Sequence, residues 1–364
     1  MRDRKRPSVF KIVFKLPYLL FFPAALVLVE LAKSSPEKVE NIYSAAIYPV
    51  ISQVISFLFG FFKFSAAEFI LIALVVLVPL GLVFNLARKK DSGYHAANYA
   101  VNVLCAAAIG YFLFIAVWGL NYYRMPLGDI MGYEVRDSST EELAELCEDL
   151  IDNANGLRGQ LEEGGNGVLV LPYGEDEVFQ LVNDAYQEYG EVNELFAGRY
   201  SNPKPVFFSE KMSYTEITGV YIPFTGEANV NTNVMPMSLA STAAHEAAHQ
   251  RGIAREDEAN FMSYLVCRDY GDLYMQYSGT MLALIHSMNA LAASDYEEFA
   301  NLAATYSDGV RRDLTANNEF WKQYEGKTAE VAENVNNAYL ESNNQEDGVK
   351  SYGRMVDLLL AERR

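Results

Sequence analysis

The 364-residue chain contains only three cysteines and four histidines. Three cysteines cannot form the disulfide framework that stabilises many small secreted domains. Cys105 lies within a long apolar run, so the sequence predicts either one disulfide between Cys147 and Cys267 or two buried free thiols. Internal repeats and low-complexity tracts are also absent. With 51% apolar residues, the chain is too apolar for a disordered protein.

Clustered positive charge is missing from most of the chain. Residues 1–119 contain 12 Lys and Arg against 6 Asp and Glu, whereas the remainder contains 17 against 41. The two parts therefore carry net charges of +6 and −24. Nucleic-acid binding needs clustered cations to neutralise phosphates, and the acidic part has no Lys/Arg-rich run or stripe. The sequence therefore predicts no nucleic-acid partner.

Three apolar runs in the basic part approach the roughly 20 residues that a helix needs to cross a bilayer. They predict transmembrane helices at about residues 11–32, 67–87 and 96–120. The first run is short, but Lys15 and Glu30 at its ends can extend their charged groups to the lipid headgroups. A lipid bilayer is therefore the first predicted partner.

Residues 41–62 are also uncharged, but small or polar side chains recur at every fourth position and form a stripe along one helical face. This pattern predicts an interfacial or re-entrant helix rather than a fourth span. The stripe consists of Ser44, Tyr48, Ser52, Ser56 and Gly60.

Basic residues precede the first predicted span and follow the second, which places both segments in the cytoplasm by the positive-inside rule. These residues are Arg2, Arg4, Lys5, Arg6, Lys11, Lys15, Arg88, Lys89 and Lys90. Three spans satisfy both placements. The sequence therefore predicts a multi-pass cell-membrane protein with a membrane domain at residues 1–123, a cytoplasmic N-terminus, and residues 124–364 outside the cytoplasm.

Residues 124–364 are long enough for one domain, and their pattern predicts an α+β fold that is mainly α with a small β-sheet. Leucine and isoleucine side chains on one face predict a helix at residues 140–153. Predicted strands lie at residues 168–172 and 205–208, with a strand pair joined by a Gly-containing turn at 217–232. From Ser238 onward the pattern is almost wholly helical.

The motif HEAAH begins at His245 and uses two of the four histidines. At this composition about 0.004 chance matches are expected, so a random origin is a poor explanation. Alanines around the motif favour a helix, which Ser241 or Thr242 can cap. On that helix His245 and His249 share a face and can bind one metal ion, while Glu246 lies beside it as a general base for a metal-bound water.

A catalytic Zn²⁺ site needs a third protein ligand. Gly252 can end the motif helix in a left-handed turn, which returns the chain toward the metal at Glu256 and Glu258. Glu256 is the preferred ligand because Asn260 follows four residues later and can hydrogen-bond to a ligating imidazole. Glu258 remains the competitor.

The pair HEAAH and EDEAN resembles the signature of the glutamate zincins, which are zinc metallopeptidases. In that family a helix bearing Glu, and four residues later Asp or Asn, follows HExxH. The resemblance implies a zincin-like domain with metal ligands His245, His249 and Glu256, base Glu246 and supporting residue Asn260. The six-residue spacing is shorter than in thermolysin-like enzymes. HExxHxxG is also similar to the metzincins, but their third histidine would fall at Arg255, which cannot bind a metal.

The chain as a whole is similar to a bacterial family of membrane-anchored HExxH proteins of unassigned function. The similar segments are NYYRMPL at 121–127, YIPFTGEANVN at 221–231, HEAAHQRGIAREDEANF at 245–261 and GVKSYGRMVDLLLA at 348–361. This resemblance supports the architecture and the metal site but implies no substrate.

Other residues bear on substrate binding. Residues 226–231 predict either an edge strand that pairs with an extended peptide or an ordinary strand of a small sheet. Candidate donors to a transition-state oxyanion are Tyr214, Tyr221, Tyr352 and Arg354. His286 lies on a mostly apolar stretch and is predicted to be a core histidine rather than a fourth ligand.

These patterns predict a membrane-anchored zinc metallopeptidase that hydrolyses peptides, proteins or cell-wall peptides outside the cytoplasm, with Glu246 as the general base. The alternative is a noncatalytic zinc-binding envelope sensor or scaffold. In that case the metal joins the His245 helix to the Glu256 helix.

Overall fold

A computed structural model describes residues 10–88, 91–343, 345 and 354–364. As predicted, the protein is mainly helical with a small β-sheet. In this part of the chain, four N-terminal helices are long and apolar enough to cross a membrane: α1 (Phe10–Lys33), α2 (Pro36–Gly60), α3 (Ala66–Leu86) and α4 (Ser92–Val117). Six of the basic residues used to predict the orientation lie outside the described residues, namely Arg2, Arg4, Lys5, Arg6, Lys89 and Lys90.

Helices α1 and α3 both pack against α4. The Lys15 ammonium group donates to the side-chain oxygen of Asn102 at 2.6 Å, and Phe21 contacts Phe112 farther along both helices. Helices α1 and α4 therefore run in the same direction. Most side chains of α3 are exposed and apolar all round, a pattern typical of a lipid-facing helix.

Helix α2 packs against the C-terminal part of the chain instead. At one end Glu40 forms an ion pair with Arg124 at 2.7 Å, and at the other end the Ser56 hydroxyl lies 2.9 Å from that of Ser201. The polar stripe of α2 faces this contact, and its buried members are Ser44, Tyr48, Ser52 and Ser56. Helix α2 therefore contacts the C-terminal domain along most of its length.

The described C-terminal part consists of helices and one small sheet. Its first helices are α5 (Leu127–Met131), α6 (Thr140–Arg158), α7 (Glu175–Val192) and α8 (Ser209–Ser213). After the sheet follow α9 (Pro236–Gln250), α10 (Glu256–Asp269), α11 (Leu273–Ser294), α12 (Tyr296–Ala303), α13 (Asp308–Lys322), α14 (Lys327–Ser342) and α15 (Met355–Glu362). Helix α6 confirms the helix predicted at 140–153, and a capping box between Ser139 and Glu142 stabilises its start.

Helices α9, α10 and α11 pack against one another and against α6 and α7 to form the apolar core. Helix α9 begins at Pro236, so the predicted cap at Ser241 or Thr242 is wrong. Proline is pre-organised for the first helical position, and the added turn packs against α11, where the Ser241 N–H donates to the Ser278 hydroxyl at 2.9 Å. The buried face of α9 is rich in alanine, which allows close approach of its neighbours: Ala240, Ala243, Ala244, Ala247 and Ala248.

The sheet has three strands in the order β1, β3, β2: β1 (Lys204–Pro205), β2 (Gly219–Ile222) and β3 (Glu227–Val230). Strand β3 pairs parallel with β1 and antiparallel with β2, which confirms the strand pair predicted at 217–232. The edge strand predicted at 226–231 is wrong, because β1 and β2 pair with β3 on both sides.

Two further strand predictions do not hold. Residues 168–172 form only one isolated bridge, from Leu169 to Glu163. The strand predicted at 205–208 is reduced to β1, because the chain turns into α8 directly afterwards. Both runs have strand-like composition but lack a neighbouring strand long enough to pair with them.

All three cysteines are buried free thiols, so the disulfide between Cys147 and Cys267 is wrong. The two residues lie on α6 and α10, and each is fully buried among apolar neighbours. Burial raises the pKa of each thiol to about 12. These cysteines therefore act as small apolar side chains of the core.

Candidate metal centre

The imidazoles of His245 and His249 lie one turn apart on α9, and their ring centroids are 4.8 Å apart. Glu256, the first residue of α10, directs its carboxylate toward both rings. Its Oε2 atom lies 3.1 Å from Nε2 of His245 and 3.8 Å from Nε2 of His249. One ligand atom from each residue lies within 4.8 Å of the other two. These three residues are called the His–Glu cluster below.

A tight turn after α9 brings α10 back to the imidazoles. Gly252 in this turn has a φ of +86°, a left-handed conformation that favours glycine. Gly252 also leaves space for the Tyr48 ring of α2, because a Cβ at this position would lie 2.9 Å from that ring. Glycine is therefore required both by the turn and by the approach of α2.

Hydrogen bonds orient both imidazoles of the cluster. Nδ1 of His245 lies 2.7 Å from Oδ1 of Asn260, and Nδ1 of His249 contacts the backbone carbonyl oxygen of Ile253. Both oxygens are acceptors, so both Nδ1 atoms carry hydrogen and donate. In the neutral rings each Nε2 is then an acceptor that faces another acceptor, the Glu256 carboxylate. These three atoms therefore face one point, where a metal ion or a shared proton can lie between them.

The charges of the cluster also favour a cation. Burial lowers the pKa of His249, but the Glu256 carboxylate outweighs this effect and raises it to about 9. Burial raises the pKa of Glu256, yet the two imidazoles hold it well below its usual range. Metal binding displaces protons from such ligands, so a divalent cation can take the place of these protons.

The donor set fits Zn²⁺. Zinc binds imidazole nitrogen and carboxylate oxygen at about 2.0–2.2 Å, which in a tetrahedral site sets ligand atoms roughly 3.3 Å apart. The distances of 3.1 and 3.8 Å to Glu256 are close to this spacing. In the described part of the chain the cluster offers three protein ligands, one fewer than a structural zinc site contains.

The competing ligand Glu258 lies outside the cluster. Its Oε1 atom accepts hydrogen bonds from the backbone N–H of Leu127 and from Nη1 of Arg255, both at 2.7 Å. This buried carboxylate therefore holds the start of α5 against α10. The structure places Glu256, and not Glu258, beside the imidazoles.

The carboxylate of Glu246 is buried next to the cluster. Its Oε2 atom has no hydrogen-bond partner among the described residues. Burial raises the pKa of Glu246 to about 7, although the nearby imidazoles partly offset this effect. The backbone of β2 lies directly over the side chain, because a Cβ at Gly219 would lie 2.6 Å from Cγ of Glu246. A carboxyl group with a pKa near 7 can both accept and return a proton.

Two hydroxyl groups of α2 bind the end of α9, behind the cluster. The Tyr48 hydroxyl lies 3.1 Å from the carbonyl oxygen of His249, and the Ser52 hydroxyl donates to that of Gln250 at 2.7 Å. The last carbonyl groups of a helix have no partner within the helix, so these hydroxyls satisfy them in a buried place. The polar stripe of α2 was the sequence signal for this role, but the pattern did not indicate which helix the stripe contacts.

Aromatic side chains surround the outer side of His249. The rings of Trp118 and Tyr221 lie 5.9 and 6.4 Å from the imidazole. Tyr221 was a candidate oxyanion donor, but its hydroxyl is buried and lies 3.1 Å from the Tyr48 hydroxyl. Tyr221 therefore connects the sheet to α2.

Two of the other three candidate donors lie within the described residues. Tyr214 packs against Tyr324 with ring centroids 5.0 Å apart, Arg354 directly precedes α15, and Tyr352 lies outside the described residues. The sequence analysis did not single out Tyr122 and Tyr339, whose hydroxyls are 2.9 Å apart. Burial raises the pKa of both phenols, and the negative charge of Glu256 adds to this effect.

His286 on α11 lies near His245 but is not part of the His–Glu cluster. Burial lowers its pKa to about 4, and the charge of His245 contributes in the same direction. His286 is therefore a neutral imidazole at pH 7.

No curated protein and no solved structure matches this chain. Residues 43–360 match a family described as "Protein of unknown function (DUF3810)". The matched range contains Glu246 and the whole His–Glu cluster, and it covers well over half of the sequence. The chain therefore belongs to the DUF3810 family.

Proposed function

We propose that this protein is a membrane-anchored zinc metallopeptidase that hydrolyses peptide bonds outside the cytoplasm. The observation that carries the proposal is the buried Glu246 carboxylate, whose Oε2 has no hydrogen-bond partner among the described residues beside three convergent metal-ligand side chains. An unpaired buried carboxylate costs free energy, and such groups are typical of sites where a proton is transferred.

The roles of the residues follow from their contacts. His245, His249 and Glu256 would hold zinc, and Asn260 keeps the His245 ring in position. The bound ion supplies Lewis-acid chemistry, which polarises a carbonyl group and makes water more acidic. Glu246 takes a proton from the attacking water and returns it to the leaving amine. Its pKa of about 7 suits both directions of transfer.

The arrangement of α9 and α10 is the one expected for a glutamate zincin, in which HExxH and the third ligand lie on two successive helices. Strand β2 passes directly over Glu246 and pairs with β3 on one side only, among the described residues. An extended peptide can pair with such a free strand edge by backbone hydrogen bonds. We infer that β2, rather than the predicted segment at 226–231, takes this role.

In this proposal α1, α3 and α4 cross the bilayer and α2 lies at its surface. Contacts from Glu40 to Ser56 keep α2 against the C-terminal part at both ends, which supports a position at the surface. The positive-inside rule then places the N-terminus in the cytoplasm and the metal centre outside.

A noncatalytic envelope sensor or scaffold is the second candidate. It is favoured by the burial of the cluster, because the side chains of His245, His249 and Glu256 are only 13%, 8% and 13% exposed. A metal bound there would join α9 to α10 and stabilise the fold without turnover.

One experiment separates the two functions. Full-length protein in lipid nanodiscs is compared with Glu246→Gln for zinc content and for cleavage of casein and cell-wall peptides. A peptidase predicts equal zinc content and loss of cleavage only in the variant. Stoichiometric zinc without cleavage of any substrate by the wild type would favour the sensor.

A further inference from the structure

The metal centre lies at one end of the predicted spans. Trp118 is the first residue after α4, and its ring contacts both the His249 imidazole at 5.9 Å and the Tyr221 ring at 4.8 Å. One indole ring therefore separates a predicted metal ligand from the end of a membrane-length helix.

Strand β2 extends from Glu246, the proposed base, to the start of α3. At its first residue, Gly219, the backbone lies against Glu246. At its last residue, Ile222 pairs with Glu227, whose carboxylate accepts hydrogen bonds from the backbone N–H groups of Ala66 and Ala67 at 3.1 and 2.8 Å. Strands rise about 3.3 Å per residue, so these two ends are roughly 10 Å apart.

The free edge of β2 can accept another strand over this distance. The Thr218 carbonyl accepts from the Asn231 N–H, so the backbone groups of Thr218 point toward β3. Successive residues of a strand alternate in direction, and the backbone groups of Gly219 and Tyr221 therefore point away from β3. They are the donors and acceptors that a paired substrate would meet.

Exposed aromatic side chains lie near the same strand end. Phe207 is 72% exposed and Phe224 is 48% exposed, which is unusual for an acidic domain in water. The carboxylate of Glu68, in the first turn of α3, accepts from the backbone N–H of Phe207 at 2.8 Å, and Phe69 packs against the Phe207 ring. Aromatic rings at this level are typical of the membrane–water interface.

We propose that the substrates are polypeptides anchored in the same bilayer, which this protein cuts within about six residues of the anchored segment. The inference rests on the proposed peptidase function and specifies its substrate class. A strand paired with β2 has one end at Glu246 and the other at the first turn of α3, where the lipid begins. An anchored polypeptide reaches this position from the membrane, and the shared bilayer raises its effective concentration at the strand.

The test uses full-length protein in liposomes and a mixed-sequence peptide library. The library is supplied free in solution, or attached to the same liposomes through a palmitoyl group at either end. Mass spectrometry gives the cutting rates and the distance from each cut to the anchor. We expect anchored peptides to be cut at least tenfold faster than free ones, with most cuts within six residues of the anchor. Equal rates, or cuts spread evenly along the peptides, would overturn the substrate class and leave the peptidase function intact.

A binding experiment separates this inference from the proposed function. The double variant Glu246→Gln, Val220→Cys carries a photo-crosslinker on the exposed side chain of β2, and the same label at exposed Val331 on α14 serves as the control. We expect capture of anchored peptides from β2 and not from α14. Such capture without any cleavage by the wild type would disprove the peptidase function and retain the anchored ligand. Equal capture of free and anchored peptides from β2 would disprove the substrate class.

Discussion

The Tyr48 hydroxyl lies 3.1 Å from the backbone carbonyl oxygen of His249, so a side chain of the N-terminal region touches the backbone of a predicted metal ligand. Arg124 supports the same contact, because it pairs with Glu40 of α2 and donates to the Gly252 carbonyl at 2.9 Å. Side chains of α2 therefore supply hydrogen-bond donors to the last carbonyl groups of α9, the helix that carries the HEAAH motif. We infer that residues 124–364 expressed alone would lack part of the structure that positions the metal centre.

Removal of the Ser52 hydroxyl should weaken zinc binding. In Ser52→Ala the buried Gln250 carbonyl oxygen loses its 2.7 Å donor and keeps only the Tyr48 hydroxyl at 3.2 Å, which costs about 1 kcal/mol of stability at the end of α9. We expect zinc affinity to fall by about fivefold or more, measured by competition with a chromogenic chelator. The control is Ser56→Ala on the same face of α2, which loses its bond to Ser201 but should retain wild-type zinc affinity. Equal effects of both variants would show that α2 acts only on general stability.

Glu256 and Glu258 should differ sharply in their effect on zinc. Glu256→Gln removes a charged ligand, and we expect zinc affinity to fall by at least about 100-fold, the upper end of what loss of a supporting residue costs. Glu258→Gln weakens the contacts with Leu127 and Arg255 instead, so it should lower the melting temperature and keep stoichiometric zinc. Metal analysis after gel filtration checks both outcomes. Loss of zinc only in the Glu258 variant would mean that the third ligand is wrongly assigned.

A methyl group on β2 should displace Glu246, the proposed base. In Gly219→Ala the new Cβ would lie 2.6 Å from Cγ of Glu246, so the carboxylate has to move. We expect peptidase activity to fall by roughly 10²-fold or more while zinc content stays unchanged. Gly271→Ala is the matched control, because no atom lies within 4 Å of a Cβ at that position. Full activity of the Gly219 variant would argue against Glu246 as the base.

His286 should make the metal-free protein sensitive to acid. Its pKa falls from the usual 6.5 to about 4 on folding, so below pH 6.5 the unfolded state binds the proton first. The free energy of unfolding should therefore decrease between pH 6.5 and 4, by at most about 1.4 kcal/mol per pH unit. Urea unfolding in the presence of EDTA measures this slope, and His286→Gln should reduce it. The same slope in both proteins would show that His286 does not cause the acid sensitivity.

Local sequence patterns were sufficient for part of the structure. The helix at α6 and the strand pair of β2 and β3 followed from apolar periodicity and from a glycine in the turn, because these signals depend on near neighbours in the chain. The strand at 168–172 and the edge position of 226–231 were wrong for a common reason. Strand pairing depends on partners that are distant in sequence, such as Lys204 for Asn229, and one run of residues carries no information on them.

The candidate metal site likewise has features that the sequence predicted and features that it did not. Helix period, hydropathy and charge are properties of consecutive residues, so the sequence predicted the HExxH helix, the long apolar helices and the acidic C-terminal part. The packing of α9 against α10, by contrast, set Glu256 beside the imidazoles and Glu258 beside Arg255. Tertiary packing also places α2 against the end of α9 and the backbone of Gly219 against the Glu246 side chain. These contacts depend on how helices and strands that are distant in sequence pack together. Polar groups that become buried by this packing need hydrogen-bond partners.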